Sequence, residues 1–113
     1  MLYFEKLIVW QKSIEFAAKC VQISNRLPRK YQYSFVDQLV RSALSISSNI
    51  AEGSGRGTKR DQANFYAIAK GSLYESVNIL KLLEKIKVVE SNKLKNIYID
   101  AEEIAKMLHG LIN

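Results

Sequence analysis

The sequence predicts an all-α protein, folded as an antiparallel up-down-up-down four-helix bundle. In four stretches, apolar or small residues recur at alternating steps of three and four, the spacing of helices packed against one another. No stretch shows strand-like alternation, and the connections between the helical patterns are short. With 113 residues, 48% of them hydrophobic and 25% charged, the chain has the size and composition of one globular domain, assigned here to residues 1–113.

The first predicted helix runs from about Phe4 to Arg26. Proline disfavours helical geometry at the residue before it, so Pro28 ends this helix. The seam that we expect to face the core consists of Leu7, Trp10, Ile14, Ala17, Val21 and Ser24.

The second predicted helix begins near Ser34, where Ser34 and Asp37 match a helix-capping pattern, and it ends at Glu52. Its apolar or small residues cover a wide arc. We therefore expect this helix to contact two partners, the bundle core and another subunit. One stripe is Phe35, Leu39, Ser42, Ile46 and Asn49, and its neighbour is Val36, Val40, Ala43 and Ser47.

The third predicted helix runs from Thr58 to about Lys87 and starts with a similar Thr58–Asp61 cap. Gly71 interrupts it, and a mid-helix glycine is tolerable where another backbone comes close, so a tight helix crossing is expected there. The expected seam is Phe65, Ala69, Ser72, Ser76, Ile79, Leu83 and Ile86.

The fourth predicted helix runs from about Ser91 to Leu111. Its apolar residues keep a strict spacing of three and four, and acidic residues lie opposite them. The expected seam is Leu94, Ile97, Ala101, Ile104, Leu108 and Leu111.

A glycine-rich stretch joins the second helix to the third. Gly53, Gly55 and Gly57 end one helix and reverse the chain. A phosphate-binding P-loop needs the order Gly-Lys-Ser/Thr after a strand, whereas Gly-Thr-Lys follows a helix here, so we do not predict nucleotide binding. Two interpretations stay open, an anion site at the start of the third helix and a solvated loop.

Catalytic and metal-binding patterns are missing from the sequence. The chain has one cysteine, Cys20, one histidine, His109, and no Glu-x-x-His pair, which argues against zinc and di-iron sites. Cys20 is interpreted as a core thiol rather than a nucleophile. We therefore expect no metal, no cofactor and no enzymatic activity.

Four polar residues on the second and third helices are interpreted as structural. Glu52 looks buried, but it lies near the glycine turn while Glu75 lies several turns away, so the two cannot form an acid–base pair. Glu75 is closer in height to Arg41, and an ion pair between these two is possible. With Asn49, these residues are expected to fix helix register or a subunit interface.

The net charge of +6 lies in the first half of the chain. Residues 1–60 carry ten basic and four acidic residues, whereas residues 61–113 carry seven of each. Such a charge fits a polyanion partner or simply keeps the protein in solution.

In an up-down bundle, the first and third connections share one end, and the second connection and both termini share the other. The candidate nucleic-acid contacts at the second connection are Arg56, Lys59 and Arg60. The candidates at the first connection are Arg26, Arg29 and Lys30, near Lys85, Lys87, Lys93 and Lys95. We rank the Arg56 group first. Tyr31 and Tyr33 beside Arg29 and Lys30 would either stack bases or cap the core.

The number of cysteines and the hydropathy of the chain predict its cellular compartment. One cysteine permits no intramolecular disulfide, which favours a reducing compartment. The N-terminus lacks the pattern of a signal peptide, and no apolar run reaches the ~18 residues of a membrane helix. We expect a cytoplasmic protein with no membrane partner.

Four segments of the chain carry a family resemblance. They are FEKLIVWQKS at the start, DQLVRSALSISSNIAEG in the middle, AKGSLYES later and MLHGLI near the end. They resemble the small four-helix-bundle proteins encoded in intervening sequences of bacterial 23S rRNA genes. The resemblance covers nearly the whole chain in the right order. It implies a homo-oligomeric ring, usually a pentamer, with no known enzymatic activity.

A related branch widens the set of possible partners. The accessory proteins of diversity-generating retroelements are similar in forming a basic pentameric barrel, and they contact a reverse transcriptase and nucleic acid. By analogy, RNA or such a protein is a possible partner. The expected function is RNA or polyanion binding through the basic end loops; the alternative is a protein–protein scaffold with no nucleic-acid role.

Overall fold

The protein, described here by a computed structural model of all 113 residues, is built from four α-helices. They are α1 (Ile8–Asn25), α2 (Asp37–Ser54), α3 (Lys59–Lys85) and α4 (Lys95–Ile112). Each helix packs on the next and α4 returns to α1, which closes a bundle of 43 × 24 × 23 Å. The predicted all-α up-down-up-down bundle is therefore confirmed.

One hydrophobic core of 20 buried residues runs through the bundle. Phe16, Leu39, Ile46, Leu80 and Ile104 are fully enclosed. The predicted seam of the fourth helix is confirmed from Leu94 to Leu108, whereas Leu111 is 47% exposed at the last turn. No helix combines the length and the apolar character needed to cross a membrane.

The predicted seam of the first helix is wrong by one position. α1 buries Val9, Ser13, Phe16, Cys20 and Ser24. Of the predicted seam, Ser24 alone is buried. Leu7, Trp10 and Ala17 are half-buried, and Ile14 and Val21 are 40% and 38% exposed. α1 carries two apolar stripes side by side, and the serines in the true seam make it look the more polar of the two.

The first two helices also begin differently from the prediction. A 3₁₀ turn, Tyr3–Lys6, precedes α1, and Leu7 is extended between them. After Pro28, a 3₁₀ turn (Arg29–Tyr31) and a π-helical turn (Gln32–Val36) lead directly into α2. Because the chain is already helical there, the predicted Ser34 cap is wrong.

The close helix crossing lies at Gly53 and not at Gly71. Gly53 is buried inside α2, which continues to Ser54, and a Cβ atom there would lie 2.8 Å from the Cβ of Phe65 on α3. Gly71 is exposed, and a Cβ atom there would meet nothing within 4 Å. The prediction of a tight crossing at Gly71 is therefore wrong.

The two ends of α3 are well defined by hydrogen bonds. The Thr58 hydroxyl accepts from the Asp61 amide at 3.1 Å, which confirms the predicted cap. At the other end, the Lys87 amide donates to Glu84 O and the Val88 amide to Leu83 O, both at 3.0 Å. These two bonds form a Schellman motif, a turn that usually has glycine at the position that Lys87 occupies.

Candidate nucleic-acid interface

The second connection and both chain termini meet at one end of the bundle, called here the glycine-turn end. Tyr3, Ser54, Lys59 and Leu111 line one shared groove there, as the up-down topology predicts. The Arg56 guanidinium stacks 4.5 Å from the centroid of the Phe65 ring and lies 3.8 Å from the Glu52 carboxylate. Arg56 is therefore partly engaged within its own chain.

Lys59 and Arg60 occupy the first turn of α3 and are exposed. Cations are unfavourable at a helix N-terminus because the aligned peptide dipoles are positive there. Among the charged residues of that turn, Asp61 alone has the favourable sign. Residues 52–61 together hold three basic and two acidic side chains, so the net local charge is +1.

The first and third connections meet at the opposite end, called here the Pro28 end. Arg26 and Leu27 from the first connection line one cleft with Val88, Val89 and Lys93 from the third. Residues 26–36 and 84–95 hold seven basic and two acidic side chains, so the net charge is +5. None of the seven takes part in an ion pair; they are Arg26, Arg29, Lys30, Lys85, Lys87, Lys93 and Lys95.

One of these cations sits where the backbone disfavours it. Lys87 has φ 63°, and it is the only non-glycine residue with positive φ. The left-handed conformation costs an L-residue ~1–2 kcal/mol, which glycine avoids. Lys87 therefore occupies a position whose backbone conformation suits glycine better than lysine.

A bond between α3 and α4 fixes the third connection. The Tyr98 hydroxyl donates to the Glu84 carboxylate at 2.8 Å, and the Lys81 ammonium lies 3.8 Å from the Tyr98 ring centroid. Burial, then the Glu84 carboxylate, raises the pKa of Tyr98. Hydrogen bonds from Ser91 and Tyr98 lower the pKa of Glu84. The end of α3 and the first turn of α4 are therefore linked directly beside the Pro28 end.

The two candidate stacking aromatics differ in exposure. Tyr31 is half-buried, with its ring 5.6 Å from that of Phe35 and 5.2 Å from the Lys30 ammonium. Tyr33 is 97% exposed. Tyr31 thus caps the hydrophobic interior, whereas Tyr33 leaves a free ring face beside Arg29.

The four residues interpreted as structural behave in different ways. The Asn49 amide donates to Ser45 O at 2.8 Å and to its hydroxyl at 3.0 Å. Arg41 pairs with Asp37 one turn away rather than with Glu75, so the suggested inter-helix ion pair does not form. Glu52, read from sequence as buried, has its side chain 59% exposed because α2 turns it away from the core.

Sequence reasoning missed the hydroxyl pairs between α2 and α3. Ser42 and Ser76 lie 2.7 Å apart, and Ser45 and Ser72 lie 2.8 Å apart. Their signal was present as serines spaced three or four residues apart on both helices. These bonds satisfy polar groups at the helix contact and hold its register.

The four sides of the bundle alternate between polar and apolar. Serine pairs join α2 to α3, and ion pairs Lys12–Glu103 and Lys19–Asp100 join α4 to α1. The other two sides are apolar. The side along α1 and α2, called the α1–α2 face, carries Trp10, Ile14, Val21, Val40 and Leu44. The opposite side, called the α3–α4 groove, has a volume of about 530 Å³ and is lined by Leu73, Tyr74, Val77, Ala101 and Ala105, among others.

The structure offers little for covalent or metal chemistry. Cys20 is fully buried, and burial raises its thiol pKa from 9.0 to about 12, so it is not a reactive thiolate. No group of three or more His, Cys, Asp or Glu side chains is placed to hold a metal ion.

Comparison with known families assigns the chain. Residues 5–110 match the sequence profile described as 23S rRNA-intervening sequence protein. The chain belongs to this family. The 23S rRNA-intervening sequence profile spans all but the outermost residues, so both ends of the bundle lie inside the matched region.

A solved structure agrees with this assignment. This 23S rRNA-intervening sequence protein is similar to a protein of unknown function from the S23 ribosomal protein family of Bacteroides thetaiotaomicron VPI-5482, whose crystal structure was determined at 1.70 Å. The two share 28% identity with a TM-score of 0.86, over 94% of this chain and 99% of the other. Comparison with curated protein sequences gives no match.

Proposed function

We propose that this protein is a non-enzymatic, cytoplasmic, homo-oligomeric bundle that binds RNA through the phosphate backbone. The observation that carries the proposal is the net charge of +5 at the Pro28 end, where no basic side chain has an acidic partner. Cations placed in this way bind phosphates and release counterions, which gives affinity without sequence readout. The Pro28 end therefore ranks ahead of Arg56, Lys59 and Arg60.

Membership of a 23S rRNA-intervening sequence family makes structured RNA the natural first probe. The test titrates fluorescent RNA hairpins with the protein at ~50 mM and ~200 mM salt. Six to ten phosphate contacts would weaken binding by about 10³–10⁵-fold between these salts. Absence of binding at the lower salt would contradict the RNA proposal and leave the protein scaffold as the remaining function.

Self-assembly is the second part of the proposal, and the two apolar sides support it. The α1–α2 face and the α3–α4 groove differ in shape and lie on opposite sides of the bundle. Contact between two different surfaces of identical chains is heterologous, and it produces a ring when the rotation closes. A ring would also repeat the Pro28 end around one rim, which multiplies the phosphate contacts.

Leu44→Glu tests this assembly, because Leu44 is 59% exposed on the α1–α2 face. We expect light scattering to show an oligomer for the wild type and a mass near 12.9 kDa for the variant. Ile99→Glu is the matched control, since Ile99 is 55% exposed on the outer surface of α4, away from both apolar sides. A monomeric wild type at micromolar concentration would contradict the proposal, as would equal effects of the two variants.

A further inference from the structure

A cleft of about 510 Å³ lies at the Pro28 end between the last turns of α1 and the third connection. Its floor is apolar: Leu27, Val89 and Ile97 are buried, and Ile23 and Val88 are half-buried. The volume falls within the range of ~300–1,000 Å³ typical of pockets for small organic ligands. An apolar floor of this kind suits a flat ring.

The rim of the cleft is polar and carries two kinds of group. Arg26 and Lys93 provide positive charge, and neither is in an ion pair. Gln22, Asn92 and Asn96 provide amides that make no hydrogen bond within the chain. Each amide can donate and accept at once, which is the requirement for reading the edge of a nucleobase.

Two other charged side chains border the cleft, and neither is expected to bind phosphate. Lys19 is bound to Asp100 at 2.5 Å, so its charge is already engaged. Glu90 is an acceptor; it repels phosphate and favours a base edge that donates N–H groups. The charges therefore favour phosphate contacts with Arg26 and Lys93 over contacts with Glu90.

We infer that this cleft binds one unpaired nucleotide. The base would lie on the apolar floor with its edge toward the amides, and its phosphate would contact Arg26 and Lys93. A paired base in an A-form helix cannot reach such a floor, because its faces are stacked and its major groove is too narrow for side chains. The inference rests on the proposed RNA binding and narrows it to RNA that contains single-stranded nucleotides.

The test compares two RNAs by fluorescence anisotropy, a single-stranded heptanucleotide and a blunt duplex. The Asn92→Ala/Asn96→Ala variant removes two rim amides from exposed positions and keeps the charge. We expect it to lose about tenfold in affinity for the single strand, because it loses two hydrogen bonds to the base edge. Its affinity for the duplex should stay unchanged. Asn64→Ala is the control, with an exposed asparagine of α3 outside both the cleft and the α3–α4 groove, and it should change neither affinity.

The outcomes separate this inference from the proposed function. Equal affinities of wild type and cleft variant for the heptanucleotide would overturn the cleft while leaving phosphate binding intact. No binding of either RNA by the wild type would overturn both. Competition with the four nucleoside monophosphates identifies the source of the nucleotide: displacement of the heptanucleotide assigns free nucleotides as ligands, and displacement by unlabelled strand alone assigns RNA.

Discussion

Gly53 is the residue at which α2 and α3 come closest. The atom nearest to a Cβ added there is the Phe65 Cβ, which is fixed to the α3 backbone and cannot swing aside. The Tyr66 ring follows at 3.1 Å. Any larger residue must therefore separate the two helices.

Gly53→Ala should lower the free energy of unfolding by about 1–2 kcal/mol, since overpacking costs ~1–3 kcal/mol and the better helix propensity of alanine offsets part of it. Gly71→Ala is the control. It replaces an exposed helical glycine with no neighbour within 4 Å, so it should raise the free energy of unfolding by ~1 kcal/mol. Urea denaturation measures both, and destabilisation by both variants would contradict the assigned crossing.

Cys20 predicts how stability depends on pH. Its thiol pKa is 9.0 when unperturbed and about 12 in the folded protein. Below pH 9 both states hold the proton; above it the unfolded state loses the proton first, so stability falls by ~1.4 kcal/mol per pH unit. Cys20→Ala should have a lower free energy of unfolding than the wild type at pH 8, but that free energy should fall less between pH 8 and pH 10. Urea unfolding under reducing conditions measures both. An identical decline in both proteins would refute this assignment.

At the scale of the element, α1 shows why the period of the apolar residues does not by itself predict which face of a helix is buried. Its two stripes have the same spacing, and the one with Trp10, Ile14 and Val21 is the more apolar in sequence. The bundle buries the stripe with Ser13 and Cys20 instead, and this rotation places Lys12 and Lys19 beside α4, where they pair with Glu103 and Asp100. Long-range partners such as these cannot be identified from one sequence.

The end of α3 gives a prediction for Lys87, whose φ is 63°. Lys87→Gly should raise the free energy of unfolding by about 0.5–1 kcal/mol, because glycine takes this conformation without strain. Lys85→Gly removes the same charge from a helical position and should lower it by ~1 kcal/mol. If Lys87→Gly destabilised the protein as Lys85→Gly does, the Schellman geometry would be wrong.

The whole molecule was the most predictable level. Bundle topology follows from four amphipathic patterns with short connections, and the α4 seam is correct from Leu94 to Leu108. Element boundaries and close contacts were less predictable: the turns after Pro28 override the local Ser34 signal, and Gly53 and Gly71 look alike without knowledge of the facing helix. The predicted topology correctly put Arg26 and Lys93 at the same end of the bundle. The structure was needed to show that Arg56 lies near Glu52, whereas the cations of the Pro28 end have no acidic partner.

Charge is distributed along the bundle so that one end is basic and unpaired while the other is nearly balanced. This asymmetry is the central claim, and two variants with equal net charge test it. One changes Arg26, Arg29 and Lys30 to Ala at the Pro28 end, and the other changes Arg56, Lys59 and Arg60 to Ala at the glycine-turn end. All six residues are exposed, so both variants should fold.

The deciding measurement is the slope of log affinity against log salt concentration for one RNA hairpin with the wild type and these two variants. Each lost phosphate contact reduces the slope by ~0.7–0.9. We expect the Pro28-end variant to lose about two units of slope and the glycine-turn variant to stay close to the wild type. Equal losses would mean that binding follows net charge alone, and a larger loss at the glycine-turn end would contradict the proposed interface.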